Sequence, residues 1–200
     1  MPINLASIED CSSYDVVIVG AGMVGASAAI GLADLGLSVL LLDAYSFSEP
    51  VDIYTPSYDE RSTALSSGTQ EMLSRLKVWG SISKHACPIS TIHVSEKGRL
   101  GTTRMSAHEY QQDALGYVVP NQWLGQCLMK RIDEAGIHFC SPVKVIKIEN
   151  KDVAGRDDQA GHRLITLRAS EGDDVTEKQM SARLLVIADG TKSETGQLLG

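Results

Sequence analysis

Three glycines and three charged side chains carry the chemistry that can be read from this chain. Gly20, Gly22 and Gly25 stand in GAGMVG, directly after the apolar run DVVIV. Each spacing has a physical use. Gly20 permits a tight turn, Gly22 has no side chain to block an approaching pyrophosphate, and Gly25 lets a helix pack closely on its strand. The first N–H groups of that helix, with its dipole, would face a diphosphate. Asp43 lies 18 residues beyond Gly25, at the end of VLLLD, where a carboxylate can accept hydrogen bonds from a ribose. An acid there repels the 2′-phosphate of NADP, so the site suits FAD or NAD, between which the glycine spacing does not choose. Arg61 in DERSTAL offers a guanidinium, which can give a phosphate two parallel charge-assisted bonds. Asp189 in LLVIADG ends an apolar run at a flexible turn.

Regular elements must hold these groups. Residues 14–43 read as strand, helix and strand: a buried strand, a helical pattern running to Gly36, and a second apolar strand. Residues 44–60, with two prolines, read as an irregular excursion. Beyond it, Leu65, Met72, Leu73, Leu76 and Trp79 make a helical stripe with Gly80 as its stop. Ile89–Thr103 reads as a hairpin turning at Lys97-Gly98, and Asn121–Ala135 as a helix closed by Gly136. Two strands follow in IHFCSPVKVIKIEN, then a polar loop over 151–162, a strand in RLITLRAS, and two strand segments in VTEKQMSARLLVIADG. The expected sheet starts with 14–43 and is revisited by 137–140 and 184–188. Residues 143–180 form an antiparallel meander beside it, and 89–105 belong to a second sheet. Open α/β sheets bind ligands at the carboxyl ends of their strands, where Gly20, Asp43 and Asp189 fall.

Composition bounds the partners. The 200 residues are 43% hydrophobic and carry 18 basic against 25 acidic side chains, a net charge of −7. That balance argues against nucleic acid or an anionic membrane surface as a general partner. The apolar runs are strand-sized, too short to span a membrane. Met1–Ser13 lacks the basic start and apolar centre of a signal peptide, so a cytoplasmic location is expected. Cys11, Cys87, Cys127 and Cys140 show no metal-ligand spacing and read as buried, inert thiols. The histidines are scattered, and no metal site is expected.

The glycine motif, the DERSTAL segment and ADGTKS together resemble the FAD-dependent aromatic-ring hydroxylases, and within them the hydroxylases of ubiquinone biosynthesis. HVSEKGRLG and EYQQDALGYVV add to the likeness, which covers essentially the whole chain. It implies an α/β, Rossmann-like FAD-binding three-layer fold with an inserted, incomplete substrate-domain β-sheet. The FAD-binding domain would take residues 1–87 and 121–200, and the substrate domain 88–120. Members are about twice as long, so the chain looks like their amino-terminal half, ending before the second flavin-contacting segment, and is expected to be inactive alone.

Carried over by position, the resemblance gives Gly20, Gly22 and Gly25 to the FAD pyrophosphate and Asp43 to the adenosine ribose. Arg61 would lie near the pyrophosphate and flavin, Gln122 at the flavin side, Val145 at the adenine through its backbone, and Asp189 near FAD. Many relatives continue as DGxxSxxR, but Gly196 holds the arginine's place here, a departure shared with the branch acting on prenylated methoxyphenols. The implied reaction is hydroxylation of a lipophilic prenylated phenol, with NAD(P)H as electron donor and a flavin hydroperoxide carrying the oxygen. Peripheral contact with the inner membrane or a biosynthetic complex would accompany such a substrate. His93, His108 and Asp113 read as structural or surface groups, and no catalytic residue is assigned. Two alternatives stay open: an FAD- or NAD-dependent dehydrogenase or reductase, and a non-catalytic, truncated cofactor-binding fold.

Overall fold

The structure, a computed structural model, describes residues 2–46, 58–98, 100–151, 162–171, 174–191 and 193–199. Its strands are β1 (Ser12–Val19), β2 (Val39–Leu42), β3 (Ser62–Ser66), β4 (Cys87–Pro88), β5 (Thr91–Ser95), β6 (Thr102–Ser106), β7 (Gly116–Pro120), β8 (His138–Cys140), β9 (Lys144–Lys151), β10 (His162–Glu171) and β11 (Asp174–Ile187). Its helices are α1 (Met23–Ala33), α2 (Ser67–Arg75), α3 (Trp79–Ile82), α4 (Asn121–Glu134) and α5 (Glu194–Gln197).

Six strands form the main sheet in the order β8-β2-β1-β11-β10-β9. Strands β8, β2, β1 and β11 run parallel, and β11, β10 and β9 antiparallel. The apolar runs explain the centre. A parallel strand flanked on both sides is buried on both faces, so it needs a continuous hydrophobic run rather than alternation. Val17, Ile18, Leu40, Leu41 and Leu42 are fully buried. Each such side chain contributes about 1.5–3 kcal/mol relative to leaving it in water. Alternation then sorts them by face. Val16, Ile18, Val39, Leu41 and Phe139 pack under α1 and α4, against Ala26, Ala29, Ile30, Leu124, Leu128 and Ile132. Val17, Leu40 and Leu42 pack on the opposite face with Leu5, Ile8, Ile165, Leu167 and Met180. The three-layer α/β arrangement is therefore as expected.

Several expectations are corrected. The antiparallel meander expected over 143–180 is present, but β9 and β10 extend the main sheet itself rather than lying beside it. Residues 174–187 form one 14-residue strand, not two segments. Its first half pairs with β10 and its second half with β1, so a single backbone serves both parts of the sheet. Leu65 belongs to β3, not to a helical stripe, because Ser62–Ser66 pairs with Pro120–Gly116 of β7. Helix α2 starts after it, capped by the Ser66 side chain accepting from Thr69 N–H. Gly80 sits within α3 and stops nothing. Cys127 and Cys140 are buried as expected, and burial pushes both thiols up to about 11. Cys11 and Cys87 are exposed, contrary to expectation.

The second sheet is divided in two: a three-stranded sheet, β3-β7-β4, and a two-stranded ribbon, β5-β6. The 44–60 excursion and the polar loop over 151–162 fall largely outside the described residues. Among the described residues, no helix is long and apolar enough to cross a membrane.

Candidate functional site

A cleft of about 850 Å³ opens at the carboxyl ends of β1, β2 and β11. Its volume lies within the range of small-molecule and cofactor sites. Gly20, Gly22, Asp43, Arg61, Val145 and Asp189 all line it. Gly25 lies directly behind. Gln122 is half-buried at the start of α4 and is not part of the lining, whereas its neighbour Asn121 is.

The glycines behave as their spacing requires. Gly20 has φ of 102°, and a Cβ there would sit 2.5 Å from the Ala188 carbonyl oxygen. A Cβ on Gly25 would lie 1.8 Å from the Gly20 carbonyl oxygen, so any side chain would drive α1 off the turn. Gly22 is the N-cap of α1 and gives it no side-chain cap. The first turn of α1 carries no acidic residue either. Its N–H groups therefore point to the cleft as an anion-binding terminus.

Two side chains grip the peptide between these glycines. Asp43 Oδ2 accepts from Ala21 N–H at 2.7 Å, while its Oδ1 accepts from Tyr45 N–H at 2.8 Å. The fully buried Tyr58 donates its hydroxyl to the Ala21 carbonyl at 3.0 Å. Its ring rests on Gly125 of α4, where a Cβ would meet it at 2.6 Å. Burial raises Asp43 above the ordinary carboxylate value, opposed by hydrogen bonds from the Tyr45 and Ala21 N–H groups. The charge of Asp189 adds to the rise. Burial raises the Tyr58 phenol as well, with the charge of Asp43 behind it.

Arg61 reaches the cleft from a short strap over residues 58–63. Its Nε donates to Asp59 Oδ2 at 2.5 Å, and its backbone N–H to Asp59 Oδ1 at 3.0 Å. Asn121, 5% exposed, ties the strap to α4. Its Nδ2 donates to Asp59 Oδ1 at 3.0 Å, its Oδ1 accepts from the Thr63 hydroxyl at 2.6 Å, and its N–H meets the Arg61 carbonyl at 2.9 Å. Burial works against the ionised form of Asp59. The bonds from Arg61 and Asn121 outweigh it and hold the carboxyl below its ordinary value.

Asp189 completes the floor. Its Oδ2 accepts from Thr195 N–H at 3.3 Å, and its Oδ1 is buried with no hydrogen-bond partner among the described residues. An orphaned buried acceptor in a cleft needs a donor to satisfy it, and a hydroxyl-bearing ligand supplies one. Lys144 and Glu194 pair at 3.2 Å across the rim. The cleft thus offers an anion-binding helix end and an arginine for phosphate. It also offers two carboxylates, Asp43 and Asp189, to accept from hydroxyl groups, and this set of donors and acceptors fits a dinucleotide such as FAD.

Tyr58 and Asn121 were not singled out by the sequence, and Asp59 and Thr63 entered only as members of the DERSTAL segment, with no role of their own. Their partners lie up to 62 residues away, and no local periodicity reports such a pairing. The one available signal was Asn121 following Pro120 at a helix start.

Comparison with known proteins agrees with this geometry. The family model described as FAD binding domain matches residues 13–200. Ubiquinone hydroxylase UbiL of Rhodospirillum rubrum is 29% identical over 189 residues, covering 93% of this chain and 39% of the relative. The 3-demethoxyubiquinol 3-hydroxylase of Escherichia coli is 28% identical over 190 residues, covering 93% and 44%. The chain thus spans less than half the length of these curated relatives. Among solved structures, p-nitrophenol 4-monooxygenase PnpA from Pseudomonas putida superposes with a TM-score of 0.71 at 19% identity. That match covers 94% of this chain and 44% of that one, and it shows a shared fold.

Proposed function

Because the chain belongs to the FAD binding domain family, we propose that it is the cofactor-binding part of an FAD-dependent aromatic-ring monooxygenase. The observation that carries the reading is the convergence of the uncapped α1 terminus, Arg61, Asp43 and the orphaned Asp189 carboxylate oxygen on one cleft. In this reading the Gly20–Gly25 turn and Arg61 hold the diphosphate, Asp43 the adenosine ribose, and Asp189 a hydroxyl of the ribityl chain. Val145 borders the adenine, and Gln122, which lies outside the lining, is given the flavin side by the resemblance alone. When bound, FAD supplies the redox and oxygen-transfer chemistry. The protein's own residues orient it, neutralise its phosphates and exclude water.

The finer reading places the parent enzyme in ubiquinone biosynthesis, acting on a lipophilic prenylated phenol with NAD(P)H as electron donor. The relatives named as ubiquinone hydroxylases support this. The ADGTKS segment, with Gly196 where many members carry arginine, favours the 2-octaprenyl-6-methoxyphenol hydroxylase branch. Residues 1–87 and 121–200 would form the FAD-binding domain and 88–120 part of the substrate domain. A cytoplasmic protein, peripheral on the inner membrane through parts beyond this chain, fits a greasy substrate.

The test is FAD uptake by the purified chain, read by flavin absorbance retained after desalting and by quenching of flavin fluorescence. Stoichiometric retention of FAD, with NAD and NADP unable to displace it, is expected. Binding of NAD in preference to FAD would transfer the chain to the dehydrogenases. Binding of neither would leave it a non-catalytic fold.

A further inference from the structure

An exposed ion pair at a cofactor cleft ordinarily adds almost nothing to stability. The pair of Arg61 and Asp59 has side chains 76% and 30% exposed. Yet Asp59 is itself held twice from behind, by Asn121 Nδ2 and by the Arg61 backbone N–H. Asn121 is in turn fixed by Thr63 and by the Arg61 carbonyl. This is a large investment of bonds around one surface carboxylate. Arg61, Thr63 and Asn121 line the cleft, and Asp59 does not. A guanidinium held at Nε keeps its plane fixed and offers its terminal N–H groups as an oriented fork, the geometry that matches phosphate oxygens.

We infer that Asp59 and Asn121 are positioning residues that set the Arg61 fork toward a diphosphate in the cleft, an inference resting on the FAD reading above. Asp59 acts through Arg61 and meets no ligand itself. Asn121 supplies the fixed point, since it belongs to the first turn of α4, whose apolar face is buried against the main sheet.

Simple electrostatics predicts the opposite sign. A carboxylate beside the arginine weakens attraction for an anion, so removing its charge should tighten FAD binding. Asp59→Asn separates the two. The asparagine oxygen can still accept from Asn121 and the Arg61 N–H, but its amide cannot accept from Arg61 Nε. Only the guanidinium is released. FAD dissociation constants, read by flavin fluorescence, are expected to rise about tenfold in D59N, the equivalent of one charge-assisted hydrogen bond's orientation. In an Arg61→Ala background the same change should no longer weaken binding, and should tighten it by removing an uncompensated carboxylate beside the diphosphate. A general structural role would carry its loss into that background unchanged.

Arg61→Lys carries the test independently of how D59N folds, because the position is solvent-exposed. Lysine keeps the charge and loses the fork, so R61K should lose nearly as much affinity as R61A. Asp59→Asn placed on R61K should then tighten binding, the carboxylate having become a pure competitor. D59N that binds FAD as tightly as the wild type or more tightly overturns the inference, as does R61K that keeps wild-type affinity. A wild-type chain that takes up no FAD removes the functional reading first and the inference with it.

Discussion

The centre of the main sheet and the β5-β6 ribbon are both well-paired β-structure, yet they are built on opposite terms. Every residue of β2 is buried, and β1 contributes Val17 and Ile18 at zero exposure. In the ribbon the register runs cleanly from Thr91↔Ser106 to Ser95↔Thr102, while no side chain is buried and most are exposed, Val94 at 53%. Backbone hydrogen bonds alone add little net stability, because water competes for the same groups. A two-stranded hairpin without a packed face is marginal by itself. The cleft therefore stands on the region that supplies its own core. The ribbon, proposed above as part of a substrate domain, has the shape of a β-element without the burial that would fix it.

The sharpest way to break this contrast is Gly25→Ala. The new Cβ would fall 1.8 Å from the Gly20 carbonyl oxygen, which belongs to the backbone of the turn and cannot move aside as a side chain would. A loss of about 3 kcal/mol or more in urea unfolding is expected, at the upper end of overpacking costs, together with loss of FAD uptake. Next comes a pair of substitutions, one in each region. Leu41→Ala, in the buried strand, should cost about 3 kcal/mol. Val94→Thr, in the ribbon, should stay within about 0.5 kcal/mol. Equal effects at the two positions would erase the distinction between the regions.

The smallest effect concerns pH. Burial raises Asp43 above its ordinary value, so the folded chain holds a proton there that the unfolded chain has already released. The stability attached to that proton is fully present below the unfolded value, about pH 4, and is lost as pH rises through the folded value. Relative to Asp43→Asn, which does not titrate, the wild type should lose stability as pH rises from about 4 toward neutrality. Urea midpoints of the two proteins across that window check it. A difference that stays flat or grows with pH would mean Asp43 is not raised.

What the sequence made legible follows the same division. Strand β1, helix α1 and strand β2 could be read because continuous apolar runs and spaced glycines leave few other folds. Arg61, Asp43 and Asp189 were found through the motifs that contain them. Strand β3 was misread, since STALS offers one buried apolar residue, Leu65, and takes its form from pairing with β7. The length of β11 was missed because its first half reads as an alternating edge strand and its second as a buried one. Asn121 and Tyr58 act through partners brought near only by the fold, so no spacing rule could reach them, and Asp59, two residues from Arg61, gains its second support from Asn121 only through the fold.

The backbone contact between Gly20 and Ala188 has a consequence for protein engineering. The two motifs that define the cleft sit near opposite ends of the chain, yet their main chains touch with no room for a methyl group. Ala188 N–H also donates to the Val19 carbonyl at 2.7 Å, locking β11 to β1 at that level. A chimera that imports residues 12–46 from a relative must therefore import 184–190 with them. Grafting either piece alone would ask one protein's turn to seat against another's strand end, where a few tenths of an ångström decide whether the two can coexist.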